Sequence, residues 1–489
     1  MKYLKYITFF LFIGLLVSCG KDSNDPTPDP APGPNPNPGP APKPDPTAPV
    51  LPVGELRGVW VTTAWGIDWP MGDYNATSQQ KRYTDYLDLF VKYGINAIFF
   101  QVRSMADAFY DSPYEPWSQN ITGTSGKAPS YDILKFLIEE AHKRDIQFHA
   151  WINPYRIATR AVGGTFPALS SKIPAELTKD YQAIRIYNPA LPEVQQRIQD
   201  IVKDLITKYP VDGVHMDDYF YPTLQTGESM NDEVEFNTYG GNFRDVASFR
   251  RNNVDVVIKG IQQTIINTRP EVIFSVSPAG NYNGNYNTLY ADCAKWMNGR
   301  WVDVMIPQLY VSTTSTFKTY LDWFVANSYQ TPLMVGYGIY KFGDPAQYGS
   351  IYATTTDLLN QFAYADGKKK VIGSLLYSAN SLTANKINVM TTIADRYKSP
   401  VLLPYLGRTA AESFDAPSGV KLSGSTLSWN SIAKAVRYAV YLSNGGGKEA
   451  KLVGVTTTTS LDLPGKGTYF VTGVDKVNAQ SKLSELITY

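Results

Sequence analysis

The sequence predicts an α/β fold: a (β/α)8 TIM barrel over residues 54–400, followed by a small all-β sandwich over residues 416–489. Three observations predict it. Apolar, β-branched runs alternate with segments of 3.6-residue periodicity from Glu55 to about Lys398. Eight such units favour closure, and no Gly-rich phosphate loop follows any strand, as an open doubly wound sheet would suggest. After Ala416 the helical periodicity stops and only short strands remain.

The elements justify themselves in chain order. Lys2 and Lys5 precede the apolar run Ile7–Val17, which is too short to span a bilayer and reads as a secretory signal. It ends in Leu16-Val17-Ser18-Cys19, which resembles a bacterial lipobox, so residues 1–18 are expected to be a lipoprotein signal peptide and Cys19 its lipidation site. Residues 19–53 then form a spacer in which proline recurs at almost every second position from Pro26 to Pro49. Proline fixes φ and removes a donor, so neither helix nor sheet suits this stretch. The expected location is the outer membrane, at the cell surface or facing the periplasm, with the membrane as a partner through the lipid.

The strand candidates are Leu56–Thr62, Ala97–Arg103, Gln147–Asn153, Gly213–Asp218, Ile273–Ser277, Val304–Tyr310, Leu333–Gly338 and Val371–Ser378. The clearest helices are Gln79–Tyr93, Asp132–Arg144, Glu193–Lys208, Phe243–Asn267, Thr356–Ala365 and Asn385–Tyr397. Cys293 lies in a further helical stretch and reads as a buried, inert thiol. In the tail, strands are expected at Val420–Leu422, Thr426–Trp429, Ala435–Ser443, Lys451–Val455 and Gly467–Val474. Trp429 with Tyr438–Tyr441 resembles the core of a fibronectin type III sandwich, expected to act in spacing or docking.

A formal net charge of +1 supplies no basic field for a phosphate backbone, which argues against nucleic acid as a partner. The 34 Tyr and 9 Trp instead provide flat amphipathic side chains of the kind that line sugar-binding clefts. Barrel enzymes place their chemistry at the C-terminal strand ends. Here those ends carry Gln101 and Arg103, then Asn153 and Tyr155, then His215, Asp217, Asp218 and Tyr219. Gln308, Tyr310 and Tyr377 complete the ring, with Asp107 and Trp117 on the loop after the second strand. Trp65 and Trp69 are further loop aromatics able to stack on sugars, whereas Trp60 suits core or platform equally.

Asp217 and Asp218 are the catalytic candidates. Adjacent carboxylates repel, so one retains a proton where the other ionises. Glycoside hydrolysis needs such a division of labour. Neighbouring residues do not easily flank one bond as separate nucleophile and acid, which leaves two routes. The substrate's own N-acetyl oxygen attacks while one Asp orients it and the other protonates the leaving oxygen. Alternatively the partner comes from another loop, with Asp107, Asp111 and Glu115 as candidates. The competing readings are an ion pair with Arg103 or Arg156, and a metal site with His215; three histidines in no zinc spacing favour no metal and no cofactor.

The sequence resembles the glycosyl hydrolase-like 10 family of bacterial lipoproteins. The resemblance rests on Glu55–Val61, Asn96–Arg103, Asp107–Tyr110 with Pro116–Ser118, Trp151–Arg156, Val211–Pro222, Ser275–Pro278 and Pro307–Tyr310. It implies a glycan-cleaving barrel, one of whose relatives cuts peptidoglycan strands stripped of stem peptides. The expectation is a glycoside hydrolase acting on N-acetylhexosamine glycan, most of all peptidoglycan, by a substrate-assisted retaining route. The alternatives are a hydrolase of host or dietary glycan, a non-catalytic glycan-binding lipoprotein, and a deacetylase, the last opposed by the lack of a His-x-x-x-His motif.

Overall fold

A computed structural model describes residues 48–489. The expected signal peptide, the expected lipidation site Cys19 and most of the expected spacer lie outside the described residues. Eight parallel strands close into a barrel: β1 (Leu56–Val61), β2 (Ala97–Arg103), β3 (Gln147–Ile152), β4 (Gly213–Met216), β5 (Ile273–Val276), β6 (Val304–Met305), β7 (Leu333–Tyr337) and β8 (Val371–Leu376). Each pairs with its neighbours in sequence, and β8 closes on β1 through Leu56–Val59 against Gly373–Leu376. β6 is shorter than the apolar run because Pro307 has no N–H to donate; beyond it only isolated bridges from Gln308 to Ala279 and Gly336 continue the ladder.

Eight helices wrap the sheet: α1 (Ala76–Lys92), α2 (Ile133–His142), α3 (Pro192–Lys208), α4 (Val246–Thr268), α5 (Cys293–Asn298), α6 (Thr314–Asn327), α7 (Thr355–Asp366) and α8 (Val389–Tyr397). Their starts follow local chemistry. The Asn75 and Asp132 side chains accept from the amides of Ser78 and Lys135. Asp245 with Ser248, and Thr354 with Asp357, close reciprocal capping boxes on α4 and α7. α3 opens on Pro192, where a missing N–H costs nothing. Every residue of β2 is buried, because one strand face meets the helices and the other meets the barrel interior.

The interior is packed solid. Leu56, Trp60, Phe99, Trp151, Val304, Met334 and Leu375 fill it. His149 stacks on Phe99 at 4.3 Å, and Gly213 at the start of β4 makes room for that ring: a Cβ there would lie 2.2 Å from His149 Nδ1. Asp212, just before β4, accepts from the Phe148 amide and from His142, which orders the end of the barrel away from the chemistry, as its position suggests.

One small sheet goes beyond the sequence pattern, and the tail adds Ser460–Asp462 and Ile487–Thr488 to its expected strands. Between β3 and α3 the chain makes a small antiparallel sheet from Arg156–Thr159, Ile184–Tyr187 and Thr178–Asp180. The tail forms a three-stranded sheet (Lys421–Ser423, Thr426–Ser428, Ser460–Asp462) and a four-stranded one (Lys451–Thr456, Arg437–Leu442, Thr468–Val474, Ile487–Thr488). Leu427, Trp429, Tyr438, Val440 and Val471 pack into one cluster. The other face of the larger sheet, with Tyr441 and Phe470, is covered by Leu402, while its neighbour Leu403 packs into the barrel interior. The sandwich therefore sits at the N-terminal end of the barrel. Among the described residues no helix is long and apolar enough to cross a membrane.

Candidate active site

At the opposite end of the barrel, the floor of the mouth is built from Trp60 and His215. Trp60 Nε1 donates to His215 Nε2 at 3.1 Å, so the other ring nitrogen carries the proton and donates to Ser275 Oγ at 2.8 Å. Ser277 Oγ also approaches Nε2 at 3.1 Å. Burial drives the His215 pKa well below its ordinary value. His215 is thus a neutral side chain with both ring nitrogens engaged at the floor of the mouth. Trp60 is core for the same reason.

Asp217 stands one layer above His215 on the same strand face. Its Oδ2 accepts from Trp151 Nε1 at 2.9 Å and Asn153 Nδ2 at 3.3 Å, while Oδ1 is buried without a hydrogen bond of good geometry, although the Tyr219 amide approaches the carboxyl. Asn153 is held in turn by accepting from the Arg156 amide through Oδ1. Asp218 is half-buried, turned toward the β6 side, where Gln308 is its neutral partner; Gln308 Nε2 also donates to the Ser277 carbonyl. Burial is the main influence on both carboxyls. It lifts Asp217 to about 7 and Asp218 to about 6, against the pull of the nearby Arg156 cation. The pair holds a proton into the neutral range.

Tyr310 and Tyr377 form the next wall, with rings 6.1 Å apart and 6.4 and 5.9 Å from Trp60. The Tyr310 hydroxyl is buried and unpartnered. Tyr219, directly after Asp218, is exposed and lies under the Arg156 guanidinium.

The other expected residues are engaged elsewhere. Gln101 Oε1 accepts from the amides of Thr63 and Ala64, ordering the loop after β1. Arg103 does not reach Asp217: it is buried in an ion pair with Glu115, its Nε donating at 2.7 Å, and also bonds the carbonyls of Asn153 and Pro154. Its role is to hold the turn that carries Asn153. Asp107 caps its own loop by accepting from the Ser104 and Met105 amides. Tyr155 is fully buried in the outer core between strands and helices. Trp117 packs against that outer core and lines a groove with Tyr131, Asp132 and Tyr209 on the outer wall. Trp69 is buried, its indole bonded to the Gln79 carbonyl. Asp111 is exposed on the same outer wall, so all three loop carboxylates that might oppose the Asp pair are committed or remote.

The structure adds residues that strand-end reasoning missed. Arg156, only a possible ion-pair partner in the sequence, is the cation acting on both carboxyls. Its signal was its place three residues past Asn153. Asp68 is buried and accepts from Ser378 Oγ, the Asn380 amide and the Thr62 amide, sewing the β1 loop to the β8 loop. Burial lifts it to about 6. Lys341 Nζ donates to the Tyr310 carbonyl among four tyrosine rings, and burial lowers it to about 8.

The fold is a closed TIM barrel, and an acid pair follows β4 at its C-terminal end. The chain belongs to the glycosyl hydrolase-like 10 family, which it matches over residues 55–348. It is 31% identical over 486 residues to the glycosyl hydrolase YngK of Bacillus subtilis, covering 89% of this chain and 93% of that protein. It is 33% identical over 367 residues to the glycosyl hydrolase DigH of Escherichia coli K12, covering 67% of this chain and 83% of that one. Among solved structures, it is similar to the PgaB glycoside hydrolase domain of Bordetella bronchiseptica. That likeness has a TM-score of 0.47 at 10% identity and covers 70% of this chain and 98% of that one.

Proposed function

We propose that the protein hydrolyses β-linked N-acetylhexosamine glycans, with peptidoglycan strands as the foremost substrate, by substrate-assisted catalysis with net retention. One observation carries this reading. The mouth holds two buried polar atoms without partners, the acceptor Asp217 Oδ1 and the donor hydroxyl of Tyr310. An acetamide offers the complement: one N–H to donate and one carbonyl to accept. Unsatisfied buried groups cost about 1–3 kcal/mol each, so binding an acetamide relieves both. Trp60, Trp151 and Tyr377 supply an apolar setting for its methyl group.

Accepting the acetamide N–H favours the Asp217 anion and leaves the pair's proton to Asp218, and it sharpens the carbonyl oxygen as an internal nucleophile toward the anomeric carbon. Asp218, less buried, protonates the departing glycosidic oxygen and afterwards takes a proton from the water that opens the cyclic intermediate. No opposed carboxylate is needed, in keeping with the engagement of Asp107 and Glu115 in the loop after β2. We also propose that the chain is a lipoprotein anchored through Cys19 in the outer membrane, and that its tail is a fibronectin type III-like spacer, supported by the three-on-four arrangement of its strands.

The test is to incubate the protein with denuded peptidoglycan, chitooligosaccharides and their de-N-acetylated counterparts, reading products by mass and anomer by NMR. Cleavage confined to the N-acetylated substrates with retention is expected. Equal cleavage of de-N-acetylated chains removes substrate assistance. Binding without turnover across the panel leaves a glycan-capture protein.

A further inference from the structure

Two large rings stand exposed at the mouth beside the carboxylate pair. Trp65 is 53% exposed and Tyr219 45%. They come from different strand ends, Trp65 from the loop after β1 and Tyr219 from the residue after Asp218. Arg156 joins them. Its guanidinium carbon lies 4.5 Å from the Tyr219 ring centre and 5.3 Å from that of Trp65. Arg156 is itself only 3% exposed, with Nε donating to the Ser104 carbonyl, so the rings and not the cation meet the solvent. The brace is fixed to the end of β2, which keeps the rings from collapsing onto the barrel.

Holding Trp65 in this place is costly. Its backbone is left-handed, with φ 52° and ψ 16°, which disfavours a residue with a Cβ by roughly 1–2 kcal/mol. An exposed indole also forgoes the gain of burial. The same loop buries Trp69 completely, so the exposure of Trp65 is not a want of core to enter. Backbone outliers of this kind gather at ligand-binding positions. Rigid, flat, exposed rings fit the C–H face of a pyranose whose substituents are all equatorial. That face is apolar, while the hydroxyls point outward to water.

We propose that Trp65 and Tyr219 form a stacking subsite for the sugar adjoining the one held at Asp217 and Tyr310. The inference rests on the glycan reading above and deepens it. The subsite makes the protein a reader of glycan chains in preference to single sugars.

The experiment titrates the Asp218→Asn protein with N-acetylglucosamine and its β-1,4-linked di-, tetra- and hexasaccharides by calorimetry, with and without Trp65→Ala. Trp65→Ala is expected to weaken tetra- and hexasaccharide binding about tenfold, with Trp65→Phe recovering most of the loss. The monosaccharide affinity is expected to stay where it was. No loss for the hexasaccharide, or an equal loss for the monosaccharide, overturns the subsite. The pH profile of an activated aryl glycoside separates stacking from an indirect role. An unmoved profile in Trp65→Ala supports stacking, and a shifted one means that Trp65 acts through Arg156 on the carboxyls and also overturns it. If Asp218→Asn binds none of the four saccharides, the glycan reading falls with the subsite. If it binds them all regardless of Trp65, only the subsite falls.

Discussion

Asp217 and Asp218 differ in what each replacement should do. With burial lifting them to about 7 and about 6, activity is expected to rise as the doubly protonated pair loses its first proton and to fall as it loses the second. The maximum belongs between about pH 6 and 7, well above that of an ordinary carboxylate site. Asp218→Asn should lower kcat by about 10²–10⁴-fold on natural chains and remove the alkaline limb. An aryl glycoside, whose leaving group needs no proton, should recover much of that loss. Asp217→Asn should gain nothing from the aryl group, because its loss falls on the nucleophile. Equal rescue of both variants would mean that the roles are not divided in this way. The expected residues that the structure gathers at the mouth are those that keep strand alternation: Asn153, Asp217, Gln308, Tyr310 and Tyr377. Those engaged elsewhere lie where alternation fails. β2 shifts register between Gln101 and Arg103 against β3, and Tyr155 follows the Pro154 turn out of the barrel. No pattern in one sequence shows that Glu115 would meet Arg103.

At the scale of elements, the turn after β3 depends on that hidden pair. Arg103 and Glu115 side chains are each only 1% exposed, and the guanidinium also bonds the carbonyls of Asn153 and Pro154. Removing one partner of a buried pair strands the other, at a cost of about 3–5 kcal/mol. Glu115→Gln is therefore expected to lower stability in denaturant titration by an amount in that range. It should also weaken the Asn153–Asp217 bond and depress kcat more than it raises KM. Replacing both partners, Arg103→Met with Glu115→Leu, should recover much of the stability, since no charge is then left alone. A single variant as stable as the wild type would contradict the pairing. The strands and long helices were legible because their apolar periodicity is strong. α6 was less so, with only Phe317, Leu321 and Phe324 fully turned inward behind a Thr-rich first turn. The small sheet after β3 was missed because its strands have only three or four residues, too few for a period-2 pattern to show.

For the whole molecule, the sandwich and the start of the described chain lie together at the barrel end remote from the Asp pair. Val50 pairs with Glu449, and Leu402 and Leu403 divide between sandwich and barrel. The joint includes one buried charge. Arg408 Nη2 meets Asp303 Oδ2 at 2.5 Å and also bonds the Val272 carbonyl, while Asp303 accepts from the Phe274 amide at the foot of β5. Burial lifts Asp303 to about 6, and Arg408 is the main force opposing that rise. A folded-state pKa above the unfolded value of 3.8 means that the native state favours the proton. Stability linked to this group is present at low pH and is lost as pH rises toward the folded pKa. Arg408→Ala raises that folded pKa further, so its cost should be small near pH 4 and grow through pH 6 to 8, where a lone carboxylate is buried. Thermal unfolding at pH 5 and pH 8 checks this: the Tm deficit of Arg408→Ala against the wild type should be clearly larger at pH 8. Asp303→Asn combined with Arg408→Ala should flatten the difference, because the carboxylate that Arg408 faces no longer titrates. A deficit equal at both pH values would show that Arg408 acts through its carbonyl bonds alone. Glycan turnover at a temperature where both proteins are folded should be unaffected, because the joint and the Asp217–Asp218 pair stand at opposite ends of the same barrel.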